Sequence, residues 1–161
     1  MDALEAIRKR RSIRVYTGAP VPREHLEQIV DAGRLAASGN NRQPWEFIVV
    51  TDRAMISHLK IAARWMEKAG GVIAVIMDSR SRWWVEDGAA AVENMLIAAT
   101  ALGYGSCWLE GYSLQFEDRI KALLGVPSAL RLLTLIPIGV PAEAPDPDKK
   151  ALSQVLHWEK Y

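Results

Sequence analysis

Residues 88–102 are the part of this 161-residue chain that most restricts its fold. They read Gly-Ala-Ala-Ala-Val-Glu-Asn-Met-Leu-Ile-Ala-Ala-Thr-Ala-Leu, a helical pattern that is apolar on nearly every face. Such a helix has to be covered on all sides by other elements. One subunit of this length has few elements to spare, which favours a homodimer that shares the helix. A central core helix in a monomer is the alternative. Six tryptophans favour the dimer, because such rings often lie at interfaces and over flat ligands.

The rest of the pattern alternates helices with short strands and contains no linker-like break. Apolar spacing and end signals predict helices over residues 2–9, 22–37, 52–68, 84–102 and 114–124, and strands over 45–50, 71–77, 106–109 and 130–138. Pro22 is expected at the first position of its helix, and Thr51 or Asp52 is expected to cap the next one. Gly103 and Gly125 are expected to close the helices that precede them. The sequence therefore predicts one α+β domain, residues 1–161, with a mixed sheet.

The composition excludes several classes of function. The net charge is only +1, and basic residues outside one cluster near the start are matched by acids, so no nucleic-acid partner is expected. Cys107 is the only cysteine and the three histidines lie far apart, so neither a disulfide nor a metal site is expected. No apolar run reaches the roughly 20 residues of a membrane helix, and the first residues do not resemble a signal peptide. We therefore expect a cytoplasmic protein with no membrane partner.

The cationic strip, residues 8–14, reads Arg-Lys-Arg-Arg-Ser-Ile-Arg and places five cations and a hydroxyl in seven residues. Such local charge in a nearly neutral protein indicates a localised anion. If the chain is extended over residues 10–16, Arg10, Ser12 and Arg14 share one side, with Ile13 and Val15 on the other. Two guanidiniums flanking a hydroxyl suit a phosphate and the polar edge of a bound cofactor. The alternative is a solvated charge run at the end of a helix.

Two further segments place polar or flexible residues in predicted loops. Residues 38–45, Ser-Gly-Asn-Asn-Arg-Gln-Pro-Trp, offer amides that can read the edge of a heterocycle and a glycine that allows close approach. Residues 109–112, Leu-Glu-Gly-Tyr, follow a short strand, and their glycine can bring a backbone N–H to a ring. Each segment alone is more typical of an ordinary turn. Neither a Gly-x-Gly-x-x-Gly motif nor a Walker loop accompanies them, and Cys107 has no cation beside it in sequence to activate its thiol.

Taken together and in order, six segments resemble the nitroreductase family of flavin enzymes across essentially the whole chain. They are Arg-Arg-Ser-Ile-Arg at 10–14, the loop at 38–45, Asp-Gly-Ala-Ala-Ala-Val-Glu-Asn at 87–94, Leu-Gly-Tyr-Gly-Ser-Cys-Trp at 102–108, Glu-Gly at 110–111, and Ile-Pro-Ile-Gly-Val-Pro at 136–141. Each is degenerate alone, whereas six in the family's order are specific. The resemblance implies a mainly antiparallel central sheet flanked by helices, and a homodimer with two FMN sites at the subunit interface.

The resemblance also implies which residues bind FMN. The positions that match the family's cofactor site are Arg10, Arg11, Ser12, Arg14, Ser38, Gly39, Asn41, Gln43, Trp108, Leu109, Glu110, Gly111, Lys149 and Lys150. The first three match the positions that hold the phosphate and ribityl chain, and Arg14 matches a basic position at the N1–C2 edge of the flavin. Residues 38–43 match a loop that reaches the flavin from the partner subunit.

The remaining matches lie in the second half of the chain. Trp108 and Leu109 are expected to pack against the flavin ring. Glu110 and Gly111 match the segment whose backbone faces flavin N5, with the Gly111 N–H as the expected donor. Residues 149 and 150, both lysine, fall where the family has a basic pair over the phosphate, a place that an arginine usually occupies.

The activity implied by the resemblance is that of an FMN-dependent NAD(P)H oxidoreductase. Hydride from NADH or NADPH passes to flavin N5 and then, in a ping-pong scheme, to a nitroaromatic, a quinone or a similar electron-poor acceptor. FMN carries the chemistry, so no catalytic side chain is expected. The chain is short for the family, so an open pocket with a broad substrate range is expected. Two alternatives stay open: a dehydrogenase or dehalogenase of the same fold, and a flavin-binding storage or sensor protein without turnover.

Overall fold

The computed structural model of the chain describes residues 1–111 and 116–161. In chain order its helices and strands are α1 (Ala3–Lys9), α2 (Arg23–Arg34), β1 (Trp45–Val50), α3 (Arg53–Leu59), β2 (Gly71–Met77), α4 (Trp84–Ala101), β3 (Gly105–Ser106), β4 (Leu109–Glu110), α5 (Glu117–Leu124) and β5 (Arg131–Gly139). Short 3₁₀ turns lie at Gly39–Asn41, Arg64–Lys68 and Leu152–Gln154. Within the described part of the chain, no helix is both long and apolar enough to cross a membrane.

The strands form one sheet in the order β1-β2-β5-β3, and β4 also pairs with β5. Every pairing between these strands is antiparallel. A single parallel bridge, between Ser12 and Ser106, attaches the cationic strip to β3. The predicted α+β fold with a mixed, mainly antiparallel sheet is therefore confirmed.

Strand β2 separates two apolar layers, and its side chains alternate between them because successive residues of a strand point to opposite faces. Ile73, Val75 and Met77 pack with α2 and α4 on one face. Val72 and Ile76 pack with the α3 and α5 side on the other. All seven residues of β2 are buried, and so are eight of the nine residues of β5. Coverage on both faces explains why these strands read as unbroken apolar runs.

Helix α4 lies between α2, α1 and the sheet. Its buried residues are Asp87, Gly88, Ala91, Val92, Met95, Leu96 and Ala99. Close packing against α2 requires a glycine at residue 33, because a Cβ there would lie 2.8 Å from the Met95 Cγ. One subunit thus covers most of the helix, while Glu93, Asn94 and Ala101 remain exposed. The homodimer stays a prediction.

Several predicted element bounds agree with the structure. Strands β1 and β2 have the predicted limits, α4 ends one residue earlier than predicted, and β5 is shifted by one residue at both ends. The Asp52 carboxylate accepts a hydrogen bond from the Met55 N–H at 2.8 Å, which confirms one of the two predicted caps. Gly103 and Gly125 both have positive φ just after their helices, as expected for helix ends. The predicted helix over 114–124 begins at residues outside the described part, and α5 is seen from Glu117.

Three local predictions are wrong. Pro22 is the cap before α2 and not its first residue, and α2 ends at Arg34 rather than residue 37. The helix predicted over 52–68 ends at Leu59, and the following turn folds back beside α3, where the Arg53 guanidinium donates to the carbonyls of residues 67 and 69. The strand predicted over 106–109 is two short strands, β3 and β4, because each pairs separately with β5.

Candidate functional site

The cationic strip continues from α1 as extended chain and is fixed to the edge of the sheet. The Ile13 N–H donates to the Ser106 carbonyl at 2.9 Å, and the Ile13 side chain is buried. Three residues on, the buried Tyr16 hydroxyl donates to the Ile13 carbonyl at 2.7 Å and lies 3.2 Å from that of Pro137. Burial raises the pKa of Tyr16, so it stays a neutral anchor. Val15, predicted on the same side as Ile13, is 48 % exposed.

This anchoring directs the polar side of the strip into a cavity of about 550 Å³. The cavity is lined by Arg10, Arg11, Ser12, Arg14, Pro145, Asp146, Pro147 and Lys149. Four cations therefore face one carboxylate, and one of these cations comes from the far end of the chain. The structure thus brings together five of the predicted site residues: the four from the strip and Lys149. Lys150 does not line this cavity.

The C-terminal tail, residues 141–161, is attached to the cationic strip through two carboxylates. The Arg11 guanidinium pairs with Asp146 at 2.5 Å, although the two residues are 135 apart in sequence. The Glu143 carboxylate accepts from the backbone N–H groups of Arg14 and Val15. These contacts attach the tail to the strip at residues 143 and 146.

Two guanidiniums of the strip have partners elsewhere in the fold. Arg10 pairs with Glu93 on α4, with 3.2 Å between Nε and Oε1. Arg14 lies over the ring of Trp65, with its guanidinium carbon 6.0 Å from the ring centroid. Within the described residues, Arg14 has no carboxylate partner for its side chain, so its charge faces the cavity. Trp65 did not emerge from the sequence, because only the folding-back of the chain after α3 brings it here.

Cys107 lies beside this cavity but is not activated. Burial raises the pKa of its thiol, and the nearby Arg14, Ser12 and Arg10 only partly oppose that effect. The thiol is therefore protonated and unsuited to nucleophilic attack, which agrees with the expectation that it is not activated.

The loop over residues 38–43 adopts an unusual backbone. Asn40, Asn41 and Gln43 have φ of 52°, 54° and 50°, a region that costs most residues about 1 kcal/mol or more and that asparagine tolerates best. Two hydrogen bonds hold it: the Gln43 N–H donates to the Ser38 Oγ at 3.0 Å, and the Gly39 N–H donates to the Asp87 carboxylate at 2.8 Å. Residues 40–43 are exposed. Among the described residues of one chain, this loop does not line the cationic cavity.

Asp87 and Trp83 are functional candidates that the sequence reasoning missed. Asp87 is 5 % exposed, and its second carboxylate oxygen has no hydrogen-bond partner within the described chain. Trp83 packs against the loop so closely that a Cβ on Gly39 would lie 2.2 Å from its ring. An acid in the first turn of an otherwise apolar helix is the signal that could have identified Asp87.

The Gly111 N–H cannot serve as the donor toward flavin N5, so that prediction is wrong. It donates to the Leu133 carbonyl at 2.9 Å, and Gly111 is buried. Residues 110 and 134 form the neighbouring pair of this antiparallel ladder. Because hydrogen-bonded and non-hydrogen-bonded pairs alternate along such a ladder, residues 110 and 134 do not hydrogen-bond to each other. The Glu110 N–H therefore points away from β5. Trp108 is 36 % exposed and Leu109 is half-buried next to it.

The extended strip and the helix-flanked antiparallel sheet define an α+β domain with a cationic cavity at the edge of its sheet. The sequence profile of the Nitroreductase family matches residues 7–71 and 55–140. The chain belongs to the nitroreductase family.

Similar proteins extend over nearly the whole chain. A protein of Archaeoglobus fulgidus, provisionally named an NADH dehydrogenase/NAD(P)H nitroreductase, is 37% identical, with 99% of each chain covered. A crystal structure of a protein of the same provisional name from Parabacteroides distasonis superposes with a TM-score of 0.91 at 32% identity, covering 99% of this chain and 98% of that one. A nitroreductase with bound FMN from Bacteroides fragilis gives a TM-score of 0.85 at 26% identity, with 99% and 100% covered. Rat iodotyrosine deiodinase 1 is 27% identical over 94% of this chain and 67% of its own.

Proposed function

We propose that this protein is an FMN-dependent oxidoreductase that transfers electrons from NADH or NADPH to an electron-poor organic acceptor such as a nitroaromatic or a quinone. The observation that carries the proposal is the convergence of Arg10, Ser12, Arg14 and Lys149 on one cavity. The likeness to a nitroreductase with bound FMN supports the choice of cofactor.

The donor set of the cavity suits a phosphate monoester joined to a polar chain. Guanidiniums bind phosphate oxygens in pairs of parallel hydrogen bonds, and the adjacent residues Arg10 and Arg11 both line the cavity. The Ser12 hydroxyl can donate to a phosphate or a ribityl oxygen. Lys149 adds a fourth cation from the tail. These residues would therefore hold the phosphate end of FMN.

Arg14 would lie at the other end of the cofactor. The Arg14 guanidinium has no carboxylate partner in the described structure, and it makes a cation–π contact with the Trp65 ring. A fixed cation at the N1–C2 edge stabilises negative charge there without reorganisation. The Glu110 N–H, which points away from β5, would supply the backbone donor toward N5 in place of Gly111. Bound FMN supplies the redox chemistry itself, since it accepts a hydride and passes electrons on.

We further propose that the working unit is a homodimer. The loop over residues 38–43 is exposed and held in a fixed, unusual conformation, as expected for a segment that completes a site on a second copy. Apolar side chains also lie exposed on α1 and the tail: Leu4 at 62 %, Ile7 at 51 %, Leu152 at 70 % and Trp158 at 77 %. Exposed apolar groups of this size are typical of association surfaces.

The visible spectrum of the purified protein and its reaction with NAD(P)H test the proposal. We expect a yellow protein that releases FMN on denaturation, loses its flavin absorbance with NADH or NADPH under anaerobic conditions, and regains it with a nitro compound or quinone. Arg10→Ala should weaken FMN retention without unfolding the dimer. Arg23→Ala on α2 is the matched control, because the Arg23 side chain is 91 % exposed and pairs only with the exposed Glu27 among the described residues. A colourless protein that refuses added FMN would refute the cofactor assignment.

The likeness to iodotyrosine deiodinase favours one second candidate, a reductive dehalogenase of the same fold. The same anaerobic assay separates the two, because a dehalogenase reoxidises with release of halide from a halogenated phenol. Reoxidation by nitro compounds or quinones alone supports the first proposal.

A further inference from the structure

A second cavity, of about 770 Å³, lies between the segment after α3 and the start of α5. It is lined by Lys60, Ile61, Ala62, Ala63, Arg64, Glu67, Phe116 and Arg119. The cationic cavity and this second cavity share no lining residue. The proposed FMN site does not use the second cavity.

The charges in this cavity are unbalanced in favour of cations. Lys60 and Glu67 neutralise each other through a 2.7 Å ion pair, and this pairing lowers the pKa of Glu67, which keeps it ionised. Arg64 and Arg119 have no carboxylate partner within the described residues. Both are exposed, so two unpaired guanidiniums stand at the rim.

The wall of the cavity has the opposite character. Ile61, Ala62, Ala63 and Phe116 are half-buried and pack onto the core layer beneath the sheet. An apolar wall beneath two guanidiniums suits an organic anion with a flat, weakly polar body and a phosphate. A nucleotide has that combination.

The position of the cavity connects it to the proposed flavin site. Arg64 immediately precedes Trp65, the ring on which Arg14 lies, and consecutive Cα atoms are about 3.8 Å apart. The 3₁₀ turn Arg64–Lys68 therefore carries Arg64 at this cavity and, one residue later, the ring beneath Arg14. A donor anchored at Arg64 would approach the flavin from the Arg14 side.

We propose that Arg64 and Arg119 bind the 2′-phosphate of NADPH, and that this cavity gives the enzyme a preference for NADPH over NADH. The inference rests on the proposed function, because it assigns the electron donor of that reaction. A phosphate monoester carries close to two negative charges at neutral pH, which matches two unpaired guanidiniums better than a pyrophosphate does, with one charge on each phosphorus.

The test uses the holoenzyme with Arg64→Gln, Arg119→Gln and the double variant. The KM for NADPH should rise by about tenfold to a hundredfold, the range set by loss of a charged hydrogen bond, while the KM for NADH and the rate at saturating donor change little. Calorimetric titration with 2′,5′-ADP and with 5′-AMP, which lacks only the 2′-phosphate, gives a readout that is independent of turnover. We expect the variants to lose affinity for 2′,5′-ADP and to keep that for 5′-AMP.

Arg23→Gln on α2 is the matched control for removing an exposed arginine, and the melting temperature of each variant reports its folding. Unchanged NADPH kinetics and 2′,5′-ADP affinity in a folded double variant would overturn the inference while leaving the oxidoreductase proposal intact. An equal loss for NADPH and NADH would also overturn it. If neither nucleotide reduces the flavin, the proposed function fails, and the 2′,5′-ADP titration alone still decides whether Arg64 and Arg119 bind this phosphate.

Discussion

Replacing Asp87 by alanine should release the loop over residues 38–43 and weaken cofactor binding at a distance. The buried Asp87 carboxylate accepts the Gly39 N–H at 2.8 Å and is the contact that joins this loop to α4. Alanine removes the acceptor and leaves that N–H without its partner. Asp87→Asn is the matched control, because its amide oxygen can still accept the same hydrogen bond.

The lost hydrogen bond sets the expected change in stability and in FMN affinity. Loss of a hydrogen bond to a charged group costs about 1.5–3 kcal/mol, which for a chain of this length lowers the melting temperature by about 3–12 °C. The asparagine variant should stay within about 1 kcal/mol of the parent protein. Reordering even one freed loop residue on binding costs about 1–2 kcal/mol, so the dissociation constant of FMN should rise about tenfold in Asp87→Ala.

Two measurements check these values. Circular dichroism gives the melting temperature of each variant, and quenching of FMN fluorescence gives the dissociation constant. If Asp87→Ala melts with the parent protein and binds FMN equally well, the loop does not depend on this carboxylate. Equal losses in both variants would show that the charge matters rather than the acceptor.

The remaining predictions concern the flavin edge and the pH dependence of stability. Arg14→Glu should lower the FMN content or shift the flavin potential downward, because a carboxylate would face the N1–C2 edge; unchanged content and potential, measured spectrophotometrically, would remove Arg14 from the site. Burial opposes ionisation of Glu117, but hydrogen bonds from the Arg131 side chain and the Leu132 N–H outweigh it and lower its pKa below 4.5. The stability that the ionised Glu117 contributes is fully present above its unfolded pKa and is lost as the pH falls through its lower folded pKa. Glu117→Gln should therefore lower the free energy of unfolding at pH 7. In acid unfolding, this variant should lose less stability below about pH 4.5 than the parent protein does.

Local chemistry made much of the fold predictable. Strands β1 and β2 were predicted with their observed bounds, because β2 is buried on both faces and both strands end where capping or turn residues begin. The extended strip was predicted from its alternation, and it does present Arg10, Ser12 and Arg14 to one cavity.

The parts that could not be predicted depend on contacts distant in sequence. The register of β4 on β5 decides that the Gly111 N–H is used within the sheet and that the Glu110 N–H is not. The fold-back after α3 brings Trp65 under Arg14, and the tertiary contact between α4 and the loop makes Asp87 a loop anchor. No short-range pattern contains this information.

The carboxylate of Asp146 gives the tail a second consequence. It neutralises Arg11, so an arriving phosphate competes with it for the same guanidinium. The chain that carries Asp146 continues into the exposed apolar residues that we propose to seat on a second copy. In the proposed homodimer, FMN binding and subunit association would be thermodynamically linked: dilution would promote loss of FMN, and saturation with FMN would tighten the pair of subunits by the same free energy.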